Sequence, residues 1–422
     1  MISAAMKGTG ASTPGGIERR AVLACLIALL CAVPAVAQLA PSGSLTLQAA
    51  VDRALAANPT IAAARLVGAV NLAGLAVARE RLNPEGTGEI ERETPTQAFG
   101  FALPLELGGK REKRIAVSQA TILAGDAEVA AIIAQVRNDV RRSYFDVLVA
   151  DVRLMVLREL RDLSRRARDT AQARFDAGDA PRLEVLQADL ALAAGENDAT
   201  AAEGVVAAGR ARLNAVLAQR LDTVQPLSTP IDAGGPVVTS AALELARTGS
   251  TELAVLDRRI EAQRTRLILA QALRVPDVVS TATLTHGAQP EFAYGWRAGV
   301  AFTLPILTNH KAGVLVEETT LAQLTAQRQA TLVRIDGDVT AGAAAAEAQR
   351  LAYTRYRDLI LPQAQQVEQL AQDSYELGQT GIAALLQALQ ASRDVRLRSL
   401  DAVSQFQAAI ADLERSIGVP LP

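Results

Sequence analysis

Cys25 and Cys31 are the only two cysteines, and His286 and His310 the only two histidines, in a chain of 422 residues. A transition-metal site needs several thiolate, imidazole or carboxylate ligands converging at close sequence spacing or on one helix face. The two histidines stand 24 positions apart, and neither belongs to a His-x-Glu or Glu-x-x-His cluster. No resident metal is expected, and His310 beside Lys311 reads as a surface residue at a helix start. Nucleophile and base are nowhere paired, and there is neither a P-loop nor a dinucleotide fingerprint. The residues point away from an enzyme and from any cofactor. With 43 basic and 45 acidic residues the formal charge is −2, and no long Lys/Arg run occurs. Phosphate backbones would feel no attraction, which argues against nucleic acid as a partner.

The remaining candidates act by position. Arg174-Phe175-Asp176-Ala177-Gly178 and Ser374-Tyr375-Glu376-Leu377-Gly378 align at an offset of 200. Each glycine closes a long helical pattern, and glycine supplies the left-handed conformation that a tight helix reversal needs. A second candidate is the basic group Lys110, Arg111, Lys113 and Arg114, which follows Gly108-Gly109 and opens a long helix. Cations at a helix N-terminus oppose its dipole, so a role elsewhere is expected. The expected partners are anionic groups at a membrane surface or Glu89, Glu91 and Glu93.

These residues are carried by a chain that repeats itself. Phe101-Ala102-Leu103-Pro104-Leu105 matches Phe302-Thr303-Leu304-Pro305-Ile306 at offset 201, with Lys110 on Lys311, and Pro84 pairs with Pro276 at offset 192. Landmarks in one order with small drift indicate an internal duplication. The first repeat is placed at residues 38–223, a Pro/Gly-rich linker at 224–240 and the second repeat at 241–422. Val129, Ile133, Val136, Val140, Val147, Ala150, Leu154 and Leu157 follow heptad spacing, interrupted only at Ser143. No proline falls between Lys110 and Ala177, so at ~1.5 Å per residue this is a rod of roughly 100 Å. Its counterpart runs from about 310 to 377, interrupted at Pro362.

Between the rods and the preceding helices the periodicity changes to two, over about 87–104 and 277–304. Val278, Ser280, Ala282 and Leu284 alternate with Thr281, Thr283 and Thr285. Trp296, Ala298, Val300, Phe302 and Leu304 alternate with Arg297, Gly299, Ala301 and Thr303. Such lengths and alternation suit transmembrane β-strands with Trp296, Val300 and Phe302 facing lipid. In the first pair Phe99, Phe101 and Leu103 share a face, while Glu89 to Glu93 reads as lumen or rim. Four strands cannot close a barrel, and open edges in hydrocarbon leave backbone groups unpaired. Three copies would give about twelve strands, within the usual range of outer-membrane barrels.

Composition agrees: 50% of residues are hydrophobic but only 3% aromatic, which suits long, closely packed helices rather than bulky cores. Arg19-Arg20, the apolar run Ala21 to Val33 and Ala35-Val36-Ala37 read as a secretory signal over residues 1–37. Its removal leaves 40 basic and 44 acidic residues and no cysteine. The long stretch before the arginines leaves a start at Met6 or later open, and Val22-Leu23-Ala24-Cys25 faintly resembles a lipoprotein box that would acylate Cys25.

Leu55-Ala56-Ala57-Asn58-Pro59, the paired strands ending in Leu-Pro and the paired aromatic-x-x-Gly turns resemble the TolC-like outer membrane factor family. Leu105-Glu106-Leu107-Gly108-Gly109-Lys110-Arg111 resembles, more narrowly, its CzcC-like heavy-metal efflux branch. The resemblance implies a mainly α chain with a small β part. Three protomers would form a twelve-stranded outer-membrane barrel, continued as an α-helical barrel across the periplasm. It implies a passive duct joined to a periplasmic adaptor and an inner-membrane RND-type pump, carrying heavy-metal cations. Drug efflux or type I protein secretion uses the same kind of duct, and a periplasmic coiled-coil scaffold is a rival of another class. Arg174, Phe175, Gly178, Ala180, Tyr375, Gly378, Thr380 and Gly381 match the adaptor-facing tip that the family implies. Related tunnels narrow at acidic residues shortly after the second glycine turn, where this chain has Ala384 and Gln387. Glu184, at the corresponding position of the first repeat, is the acidic residue left to form a constriction.

Overall fold

A computed structural model describes residues 43–303 and 306–421, and all its elements lie in the compact unit Leu45–Pro422. The expected signal segment, with Cys25 and Cys31, and the pair Leu304-Pro305 lie outside the described residues.

The chain begins with α1 (Leu47–Ala57) and α2 (Pro59–Arg79). Thr46 caps α1, its hydroxyl accepting from Ala49 N at 3.2 Å. Asn58 caps α2, accepting from Thr60 N at 2.8 Å, and Pro59 sits at the first helical position, where its missing N–H costs nothing. The Asn58 amide also donates to Val216 O at 2.9 Å, so the Asn-Pro pair both breaks the helix and anchors it.

Then come β1 (Glu85–Ile90), β2 (Gln97–Leu105), the 67-residue α3 (Lys110–Asp176) and α4 (Arg182–Val216). The same order recurs as α5 (Thr239–Gly249), α6 (Thr251–Ala272), β3 (Val278–Ala288), β4 (Phe292–Phe302), α7 (Lys311–Arg355), α8 (Leu361–Glu376) and α9 (Ile382–Ile417). Between α7 and α8, Tyr356–Ile360 forms a π-helical turn. Pro362 has no N–H to offer the carbonyl four residues back, and the wider turn absorbs the misfit without ending the rod.

The expected heptad seam is the inner face of α3: Val136, Val140, Val147, Ala150, Leu154 and Leu157 are buried, and the stripe continues through Leu160, Leu163, Ala167 and Ala171. α2, α4, α6 and α9 all pack against α3, α7 packs against α6 and α9, and α8 packs against α9. Apolar contacts are spread along the rods in several small clusters rather than one core. The linker is fastened rather than loose. Its Leu227 bridges Leu45, and the buried Tyr144 hydroxyl donates to Leu45 O at 2.7 Å while accepting from Thr229 N at 3.1 Å.

Candidate functional site: the outer sheet and the hairpin tips

At one end of the rods the four strands form an antiparallel sheet in the order β1-β2-β3-β4. Register places Phe99, Leu284 and Trp296 in one row, Phe101, Ala282 and Ala298 in the next, and Leu105, Val278 and Phe302 in another. Because side chains alternate, these rows share one face, and Trp296, Val300 and Phe302 are 82%, 67% and 60% exposed on it. A contiguous exposed apolar sheet face is a surface made for lipid. The opposite face carries Glu85, Thr87 and Glu89 of β1, Thr281, Thr283 and Thr285 of β3, and Arg297 of β4. All four of these threonines lie across from glycines: Thr87 and Thr283 from Gly100, Thr285 from Gly295, Thr281 from Gly299. A Cβ on Gly295 or Gly299 would stand 2.9 Å from the facing threonine oxygen, so glycine permits the strands to curl toward this polar side. His286 sits near the turns, its ring centroid 4.6 Å from that of Tyr294, and His310 is exposed just before α7. Among the described residues no group of three or more metal-ligating side chains is assembled.

The basic cluster below the sheet finds partners within the chain other than the glutamates expected. Arg111 Nη2 donates to Arg79 O at 2.6 Å, and Arg114 donates to Ala78 O and Glu80 O. These are the last carbonyls of α2, so the cations serve the negative dipole end of the neighbouring helix rather than their own N-terminus. Arg114 also pairs with Glu106 at 2.6 Å, and buried Lys110 pairs with Asp277 at 2.7 Å. Glu89, Glu91 and Glu93 are not their partners, because Glu106 and Asp277 flank the strand ends where the cations emerge.

At the other end, Gly178 (φ +82°) and Gly378 (φ +72°) turn α3 into α4 and α8 into α9. Asp179 N donates to Arg174 O and Gln379 N to Ser374 O, both at 2.8 Å, closing two matching helix C-caps. Between the hairpins, Arg174 Nη1 donates to Tyr375 O at 3.2 Å, and its guanidinium lies 4.9 Å from the Tyr375 ring centre. The Tyr375 hydroxyl donates to Glu184 Oε2 at 3.2 Å. Burial, reinforced by the Glu184 carboxylate, pushes the Tyr375 hydroxyl up to about 12.

Arg174, Tyr375 and Glu184 are thus brought together, and this alters what each can do. Tyr375 is fully buried, a clasp between hairpins rather than an exposed contact. Glu184 is half-buried and already engaged, so its carboxylate is not a free lining group. Phe175 is 39% exposed, Gly178, Gly378 and Gly381 lie at the surface, and Ala180 is buried. Thr380 is half-buried, its hydroxyl without a partner. Ala384 and Gln387 are exposed on the first turns of α9.

A buried polar knot higher in the second hairpin was not anticipated. Arg396 pairs with Glu368 at 3.1 Å and with Glu159 of α3 at 3.0 Å, and Ser392 donates to Glu368. Its members lie up to 237 positions apart, so no local spacing announces it.

A four-stranded sheet with one apolar and one polar face stands at one end of long helical rods, an arrangement that solved outer-membrane channels share. The chain matches the outer membrane efflux protein family over residues 50–219. It is 24% identical over 390 residues to the cobalt-zinc-cadmium resistance protein CzcC of Cupriavidus metallidurans, covering 89% of this chain and 91% of that protein. The fold superposes on CusC, whose structures describe folding and transmembrane channel formation, with TM-score 0.74 at 16% identity over 88% of this chain and 92% of that one. It also superposes on the open state of the MtrE outer membrane channel of Neisseria gonorrhoeae, with TM-score 0.69 at 18% identity over 88% and 89%.

Proposed function

We propose that this protein is the outer-membrane duct of a tripartite efflux system for heavy-metal cations. Three copies close their sheets into one barrel of about twelve strands, and the rods continue it as a helical tunnel. The observation that carries this reading is the sheet itself: its outer face is apolar and exposed, while β1 and β4 are left as edges. An open edge in hydrocarbon leaves N–H and C=O groups unpaired at a cost of several kcal/mol each, so the edges require each other across copies.

The tips, exposing Phe175 and the two glycine turns, are the surface for a periplasmic adaptor, and an inner-membrane RND-type pump supplies the driving force. The duct catalyses nothing. Likeness to CzcC along nearly the whole chain supports cobalt, zinc or cadmium ions as cargo. Deleting the gene should lower the tolerated concentration of these salts, and re-expression should restore it. Unchanged metal tolerance with new sensitivity to organic toxicants, or loss of a secreted protein, would instead identify a drug or protein duct.

A further inference from the structure

Residues 47–105 and their helices recur in the second half with two offsets, and the offsets fix what should meet at the boundary between copies. α1 and α5 superpose at offset 192, as do the capping residues Asn58 and Ser250 and the strand-entry residues Glu85 and Asp277. β2 to α3 superposes on β4 to α7 at offset 201: Gly109 (φ 66°, ψ 32°) falls on His310 (φ 55°, ψ 10°), and Lys110 on Lys311. The sheet obeys both offsets. Gly86 pairs with Phe101, and adding 192 and 201 gives Val278 with Phe302, which is the register found.

Within one chain, the first half is joined to the second by the β2–β3 ladder and a polar clasp beneath it. Lys110 pairs with Asp277 at 2.7 Å, and the same carboxylate accepts from Leu107 N at 3.0 Å. Advancing this junction by half a chain replaces Lys110 by Lys311 and Asp277 by Glu85, with β4 standing for β2 and β1 for β3. Lys311 and Glu85 are both exposed, and among the described residues neither belongs to an ion pair of its own chain. The ladder advances in the same way: Phe101 opposite Ala282 becomes Phe302 opposite Ile90 of the next copy. Residues directly opposite in a ladder must share a face, and both of these lie on the apolar one, 60% and 85% exposed.

We infer that each copy is locked to the next by an ion pair between Lys311 and Glu85 of the following copy, beneath a β4–β1 ladder registered at Phe302 and Ile90. This rests on the closed-trimer reading and specifies its seam. The binding surface is the β4 edge with the start of α7, and the partner is the β1 edge of a second copy of this chain.

The full chain has only Cys25 and Cys31, both far from the seam in sequence, so introduced thiols report cleanly. The double variant Glu85→Cys/Lys311→Cys, oxidised in isolated outer membranes, should shift on a denaturing gel from one chain to three, while each single variant stays at one. Glu85→Lys and Lys311→Glu should each reduce the heat-resistant trimer, and their combination should regain it. A native mass of three chains without crosslinking in the double variant would overturn this seam and leave the duct standing. A native mass of one chain would overturn both.

Discussion

Tyr375 and Glu184 lie 191 positions apart, yet one hydroxyl joins them across two hairpins, with the Arg174 guanidinium over the ring. Tyr375→Phe keeps the ring and its stacking but removes the donor. It should loosen the tip by roughly 1 kcal/mol, the usual net worth of one hydrogen bond. Amide exchange of residues 174–184 and 374–384 should speed up several-fold, with trimer yield unchanged. The same change from Glu184→Gln in the Tyr375→Phe background would show that the hydroxyl acts through another partner. The pH dependence has a definite sign. A phenol raised from about 10 in the unfolded chain to about 12 contributes stability that is complete below about pH 10 and lost as pH rises toward 12. The clasp's donor therefore persists throughout the neutral range. Sequence spacing placed Arg174, Tyr375 and Glu184 near the turns because the glycines punctuate the repeat. It could not reveal that they touch, since which helix faces meet is decided by the packing of α3, α4, α8 and α9 together.

At the scale of elements, periodicity was the informative signal. The heptad stripe of α3 and the alternation of β3 and β4 both survive in the burial and register, because each element buries or exposes one whole face. Strand ends were less legible. β4 begins at Phe292, ahead of the alternation that starts at Trp296, because Ala288 and Phe292 still pair across the turn. The basic start of α3 was legible as an anomaly but not as a cap, since the carbonyls it serves belong to α2. Two substitutions test the faces. Val300→Arg puts a cation among exposed apolar side chains and should cost roughly 2–4 kcal/mol near mid-bilayer, lowering the amount of protein in the outer membrane. Thr281→Arg, on the polar face, should be tolerated, and equal harm from both would mean that the faces are assigned wrongly. For the turns, Gly378→Pro forces φ from +72° to near −65°. It should abolish efflux while the trimer still assembles, because the lesion lies a rod length from the sheet. Normal metal tolerance in that strain would remove the tip from the mechanism.

At the scale of the molecule, the two halves differ in how completely they are packed. α6 lies between α3 and α7, whereas its counterpart α2 packs against α3 and leaves Leu66, Val70 and Val77 exposed. By length and apolarity alone α2 could cross a membrane. The repeat offers a simpler account: Val70 corresponds at offset 192 to Ala262, which is 5% exposed between its neighbours, while Val70 is 69% exposed. What covers Ala262 within the chain should cover Val70 from the α7 of the next copy. Burying a valine contributes about 1.5–3 kcal/mol, and the contact occurs three times in a closed ring. Val70→Asp should therefore shift the equilibrium in mild detergent from trimer toward monomer by more than tenfold. The isolated chain should keep its helical content, because the position is open to solvent there. Ala62→Asp, at another exposed site on the same helix, should leave the trimer unchanged. If both variants assembled equally well, α2 would face something other than a second copy, and the ring would have to close through the sheet and lower rods alone.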